Sequence, residues 1–169
     1  MPPYTGYNPS LARAFEAITL PQSGMTYIGN FLVSQILERH PKLKVVFGGA
    51  SAGWINFILE TTDYAFGISG NASLGYERKP SETFQRQCYV VGTYDDRVGL
   101  RHACDSPGAQ SVLWGTEFPL AVSTWPDTRR YLGAACASLS DAERKKILMS
   151  NAAELYKINK LIDSLGKWI

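Results

Sequence analysis

The sequence predicts an α/β protein built on parallel strands, and three observations carry that expectation. Three short apolar runs, Leu43 to Phe47, Cys88 to Val91 and Ser111 to Trp114, each end at a glycine: Gly48, Gly92 and Gly115. Segments with helical periodicity separate the runs, giving the order helix, strand, helix, strand, helix, strand. The runs are continuous rather than alternating, which is the pattern of parallel strands covered on both faces. With 169 residues, 45% of them apolar, the chain is long enough to bury the core of one domain.

Residues 1–26 contain Pro2, Pro3, Pro9, Pro21, Gly6 and Gly24. They read as a loop-rich lead-in with one short helix-compatible run, Ser10 to Ile18, ahead of a main domain at 27–169. From Thr26 to His40 the apolar residues Ile28, Phe31, Leu32, Ile36 and Leu37 recur at helical spacing, and Pro41 stops the helix. The first strand follows at once. A glycine-rich turn, Gly48 to Gly53, then feeds a helix from about Trp54 to Phe66 with Trp54, Phe57, Ile58 and Thr61 on one face.

Residues 67–79 read as a flexible connector, residues 80–86 as a brief helix, and Cys88 opens the second strand. Asp95 to Ala103 looks helical, Ser106-Pro107-Gly108 is a turn, and the third strand ends at Gly115. Pro126 sits near the first turn of the next helix, where a missing amide donor costs nothing. Ser140-Asp141-Ala142-Glu143 has capping-box spacing, with Leu139, Ile147 and Leu148 on the buried side. Asn151 is expected to cap the last helix, in which Ala152, Leu155, Tyr156 and Ile158 share a face.

Composition removes several classes of function. A net charge of +2, with basic and acidic residues intermixed, leaves no footprint for nucleic acid. No run approaches the ~18 consecutive apolar residues of a membrane helix. Residues 1–20 lack the features of a signal peptide, so a cytoplasmic setting is expected. Cys88, Cys104 and Cys136 are widely spaced and read as buried small hydrophobes. His40 and His102 are the only histidines, so any metal or acid/base chemistry has two imidazoles to draw on.

Three blocks carry a family likeness: Arg39 to Phe47 with Ala52-Gly53-Trp54, then Val112 to Pro119, then Asn151 to Tyr156. Together they resemble the C-terminal part of amidohydrolase-related proteins of the aminocarboxymuconate-semialdehyde decarboxylase type. The resemblance implies a partial TIM (β/α)8 barrel, with the three strands equivalent to strands six to eight. It further implies metal-dependent hydrolysis, or non-oxidative decarboxylation, of a small carboxylated or cyclic substrate, with a divalent metal, zinc by resemblance, as cofactor.

In that family the metal is held by a His-x-His pair after the first strand, a His after the fifth and an Asp after the eighth. A His after the sixth assists catalysis. This chain has no His-x-His, and Gly48-Gly49-Ala50-Ser51 stands at the sixth strand. At the eighth, Gly115-Thr116-Glu117-Phe118-Pro119-Leu120 puts Glu117 at the aspartate position. Its carboxylate could reach a metal at about 2.0–2.2 Å, although a catalytic zinc site takes about three protein ligands. The resemblance therefore implies either a dismantled site or a missing N-terminal half, and a chain that self-associates or binds a partner is the alternative to an enzyme.

Glu117 is thus the candidate catalytic residue and metal ligand. Gly49 and Trp54 at the first turn, Tyr94 after the second strand and Thr116 after the third are candidate substrate contacts. Gly49-Ala50-Ser51-Ala52-Gly53 also fits the nucleophile elbow Gly-x-Ser-x-Gly. Ser51 is therefore a second catalytic candidate, with His102 as the base and Asp63, Asp95 or Asp96 as the acid. The simpler role for Ser51 is to cap the helix that follows.

Overall fold

The computed structural model describes residues 8–69, 75–94, 97–120 and 123–158. The chain opens with α1 (Pro9–Val33) and α2 (Ile36–Arg39), then forms β1 (Val45–Phe47) and α3 (Ile55–Ser69). Next come α4 (Pro80–Gln87), β2 (Cys88–Gly92), α5 (Arg97–Ala103) and β3 (Val112–Trp114). Three short helices close it: α6 (Thr128–Ala135), α7 (Asp141–Lys145) and α8 (Asn151–Leu155). The strands form one parallel sheet in the order β1-β2-β3, so all three carboxyl ends lie along the same edge.

The register separates the two faces. Phe47, Val90 and Val112 are mutual partners on one face and, with Cys88, pack into the core beneath the helices. Phe47 lies between Phe31 of α1 and Phe84 of α4, with ring centroids 5.7 and 6.4 Å away. On the other face Leu113 is buried, Tyr89 and Val91 are half-buried and Val46 is exposed. This second face is thus covered at β3 and becomes exposed toward β1. Both faces are apolar, which explains the continuous apolar runs.

The loop-rich reading of residues 8–26 is also corrected, because α1 runs unbroken through Pro21. Proline in a helix interior removes one amide donor, a cost of about 3 kcal/mol in isolation. Here Gly24, Ile28 and Leu32 lie buried on one side of α1, and tertiary packing outweighs local propensity. The helix expected to reach His40 instead breaks at Gln35, whose φ of 58° is left-handed, and resumes as α2.

Two buried side-chain amides hold the amino ends of the strands. Gln87 Nε2 donates to the carbonyls of His40 (2.9 Å) and Leu43 (3.1 Å), fixing the turn that enters β1. Asn151 Nδ2 donates to the carbonyls of Ala109 and Val112, both at 2.7 Å, fixing the entry to β3. Asn151 has helical backbone angles and is not a cap, contrary to expectation; its side chain points back to the sheet. The three cysteines are buried, and burial pushes the Cys88 thiol up to about 12.

The capping box forms as the sequence indicates. The Glu143 amide donates to Ser140 Oγ (3.3 Å), and the Ser140 amide donates back to Glu143 Oε2 (2.8 Å). Arg101 reaches across from α5 and places Nη2 2.8 Å from Glu143 Oε1, so one carboxylate joins two helices. That guanidinium first, and the Ser140 donors second, hold the Glu143 carboxyl down at about 2.

A carboxylate whose folded pKa is depressed stabilises fully above its ordinary value near 4.5, and loses that contribution as pH falls toward its folded value. We therefore expect a denaturation midpoint that drops between about pH 5 and pH 2, with on the order of 2–3 kcal/mol lost through this group. Urea titration of wild type and Glu143→Gln across that range checks it. The variant should start lower at pH 6 and show a flatter pH dependence, whereas parallel curves contradict the assignment.

Candidate active site at the strand ends

Gly49, Ser51, Trp54, Tyr94, Thr116 and Glu117 all follow the carboxyl ends of the strands, the end where parallel α/β folds bind ligands. The turn after β1 contributes Gly49, Ser51 and Trp54, and the segment after β2 contributes Tyr94. The segment after β3 contributes Thr116 and Glu117. With strands about 4.8 Å apart, the ends of β1 and β3 stand about 10 Å from each other. They can flank a small molecule.

The first turn is fixed by packing. Gly49 has φ 80° and Ser51 φ 63°, so two residues turn left-handed within three positions. Trp54 Nε1 donates to the Ala50 carbonyl at 2.7 Å, which closes the turn and uses the indole donor. Gly24 of α1 presses on the same place: a Cβ there would stand 2.8 Å from Ala50 Cβ and 2.9 Å from Trp54 Cζ2. A contact of Trp54 with a ligand would therefore come from its ring alone.

Ser51 is buried at 5% exposure, and its hydroxyl has no hydrogen-bond partner. It is thus not the cap expected of it, since α3 begins four residues later with the Ile55 amide on the Ala52 carbonyl. Neither does an imidazole activate it. His102 is exposed on α5, and His40 precedes β1 at the opposite end of the sheet. Asp63 is engaged elsewhere, accepting from the Ser81 amide (2.9 Å) and hydroxyl (2.6 Å), while Asp95 and Asp96 lie outside the described residues.

After β2, Thr93 is buried, and the Tyr94 carbonyl accepts a hydrogen bond from the Tyr131 hydroxyl of α6. After β3, Gly115 passes so close to Val91 that an added Cβ would lie 2.9 Å from Val91 Cγ1. Thr116 then organises a tight loop, its Oγ1 accepting from the Phe118 amide (3.3 Å) and its carbonyl from the Thr124 amide (3.2 Å). Glu117, at φ 57°, accepts from the Leu120 amide through its carbonyl (2.7 Å). Its half-buried carboxylate forms no hydrogen bond or ion pair among the described residues.

Sequence reasoning missed an aromatic pair in the segment after β3. Phe118 and Trp125 pack edge to face with centroids 5.0 Å apart, and both are exposed. Two aromatic-proline pairs, Phe118-Pro119 and Trp125-Pro126, were the available signal.

The expected metal does not fit the residues present. Among the described residues no group of three His, Cys, Asp or Glu side chains could hold an ion. His40 precedes β1 and His102 lies on α5, so neither follows a strand end as Glu117 does.

Comparison with known proteins accords with this geometry. A family model described as amidohydrolase matches residues 9–158. No curated protein matches the chain. Among solved structures it is similar to a dihydroxybenzoic acid decarboxylase from a Polaromonas species, which has bound manganese and 2-nitroresorcinol. Identity there is 21%, over 90% of this chain and 48% of that one, with a TM-score of 0.68. It is also similar to 5-carboxyvanillate decarboxylase from Sphingomonas paucimobilis, at 22% identity over 78% of this chain and 39% of that one, TM-score 0.64. An amidohydrolase from Mycobacterium avium subsp. paratuberculosis matches at 19% over 76% of this chain and 32% of that one, TM-score 0.65. The chain thus spans about a third to a half of the length of these structures. Its sheet is part of a (β/α)8 barrel, and the chain belongs to the amidohydrolase family.

Proposed function

We propose that the chain forms the part of an amidohydrolase-family barrel that presents Glu117 to a small carboxylated or cyclic substrate, for non-oxidative decarboxylation or hydrolysis. The observation that carries this is a half-buried glutamate without a side-chain partner among the described residues, held in a left-handed turn at the carboxyl end of a parallel strand. Two of the similar structures are decarboxylases of substituted benzoates, which makes decarboxylation the favoured reaction.

Non-oxidative decarboxylation replaces a C–CO2 bond by a C–H bond, so one proton must reach the carbon as CO2 leaves. Glu117 is the described group placed to hold that proton, and in a hydrolysis the same carboxylate would accept one. Thr116 holds the loop that orients Glu117, while Gly49, Tyr94 and the Trp54 ring border the same edge. Phe118 and Trp125 supply aromatic surface in the same segment after β3.

A divalent ion, zinc by resemblance, would need donors beyond the described residues, and none of these roles depends on it. A cytoplasmic setting belongs to the same proposal; no helix among the described residues is long and apolar enough to cross a membrane. The second reading, a non-catalytic half-barrel that binds another chain, is favoured by the apolar residues Val46, Tyr89 and Val91, which remain exposed or half-buried on one face of the sheet.

Incubation of the purified protein with 2,6-dihydroxybenzoate or 5-carboxyvanillate, with manganese or zinc added, tests the first reading. We expect loss of substrate absorbance with release of CO2, and a decrease of about 10²-fold or more in Glu117→Gln at unchanged thermal stability. A folded protein that neither turns over these compounds nor binds 2-nitroresorcinol contradicts it and favours the second.

Ser51 gives an independent check. Its hydroxyl is buried without a partner, so Ser51→Ala should leave stability unchanged or raise it by up to ~1 kcal/mol. A helix cap would instead lose about 1 kcal/mol, and a nucleophile would lose its labelling by a fluorophosphonate probe.

A further inference from the structure

Helix α3 is apolar on the side turned away from the core. Its buried line is Ile55, Leu59 and Phe66. Phe57, Thr61, Tyr64 and Ile68 occupy the opposite side at spacings of four, three and four residues, and Phe57, Tyr64 and Ile68 are 63%, 73% and 69% exposed. That spacing is the seam along which two helices pack, whereas a solvated helix face carries charged and polar residues. Glu60 is the only charged residue among the fully exposed positions of α3, and Ala65 and Gly67 complete the face.

We propose that this face joins two copies of the chain, which pair through α3 in an antiparallel, two-fold arrangement. The stripe is self-complementary about a point between Thr62 and Asp63. A two-fold axis there sets Phe57 against the partner's Ile68 and the small Thr61 against the large Tyr64 of the partner subunit. Large side chains meet smaller ones along the whole seam.

The same axis puts the two Glu60 side chains on one flank of the seam, offset by about 7.5 Å along the helices and outside the apolar stripe. This internal match singles out a second copy, because a different partner places no such constraint on the order of residues in the stripe. Two-fold pairing is also the commonest closed symmetry.

The area is sufficient for a reversible dimer. Aromatic side chains of this size leave roughly 100–170 Å² each at the observed exposures, and the whole face offers on the order of 600 Å² per copy. The pair would bury about 1,200 Å², the lower end of specific interfaces, which corresponds to dissociation in the micromolar range.

Sedimentation velocity of the full chain from about 1 to about 200 μM should show monomer converting to dimer. Tyr64→Glu, at a position 73% exposed, should keep the circular dichroism of wild type and remain monomeric throughout. Charge exchange tests the register. Phe57→Lys and Ile68→Glu should each be monomeric, and the double variant should dimerise again, because opposite charges then face each other across the axis. Within one chain the two positions lie about 16 Å apart and cannot compensate each other.

A wild type that stays monomeric, or a dimer that Tyr64→Glu does not weaken, overturns the proposal. A double variant that stays monomeric overturns the antiparallel pairing.

Discussion

The close approach of α1 to the turn after β1 is the contact on which the carboxyl edge of the sheet depends. It exists because residue 24 has no side chain: Ala50 Cβ and the Trp54 ring occupy the space that a Cβ would take. With α1 seated there, the Ala50 carbonyl accepts from the Trp54 indole and the turn needs no ligand to hold its shape. Ser51 is buried as a result. The same seating lets Ile28, Phe31 and Leu32 reach the core, so a helix interrupted in sequence by Pro21 is held in one piece.

The two ends of the sheet are built differently. At the amino ends, Gln87 and Asn151 spend their buried amide donors on backbone carbonyls, which leaves that end occupied by structure. At the carboxyl ends backbone and side-chain bonds together close each turn, and among the described residues the Glu117 carboxylate takes no part in them. A protein that needed Glu117 only for its fold would have paired it, as it paired Glu143 with Arg101. Among the described residues no set of metal-binding side chains gathers around Glu117, which makes it an acid/base candidate more readily than the centre of a metal site.

What could be read from the sequence was local. The capping box needs only Ser140 and Glu143 three residues apart, and it forms as written. The strands are short apolar runs ended by glycines, and all three are where the sequence puts them to within two residues. Features that depend on distant contacts were missed. Pro21 and Gly24 signal a loop locally, but Gly24 is a packing site for residues 26 and 30 positions later.

Periodicity puts Trp54, Phe57, Ile58 and Thr61 on one face of α3, whereas the core takes Ile55, Leu59 and Phe66, with only Trp54 and Ile58 of that set packed against it. Both sides of that helix are apolar, so periodicity could not choose between them. Asn151 has the residue type of a cap, and only the nearby carbonyls of Ala109 and Val112 explain why it turns inward. Glu117 was found from the sequence because a carboxylate after a strand is a local signal, but its lack of partners was not visible there.

The central claim is that helix packing at Gly24, rather than a bound ligand, sets the shape of the candidate site. Backbone hydrogen exchange of wild type and Gly24→Ala tests it most directly, read at the amides of residues 50–55 and at those of β3. If the claim holds, the variant exchanges faster in the first set while β3 and the loop around Glu117 keep their protection. Unchanged protection of residues 50–55 would contradict it and would show that the turn holds its shape without α1.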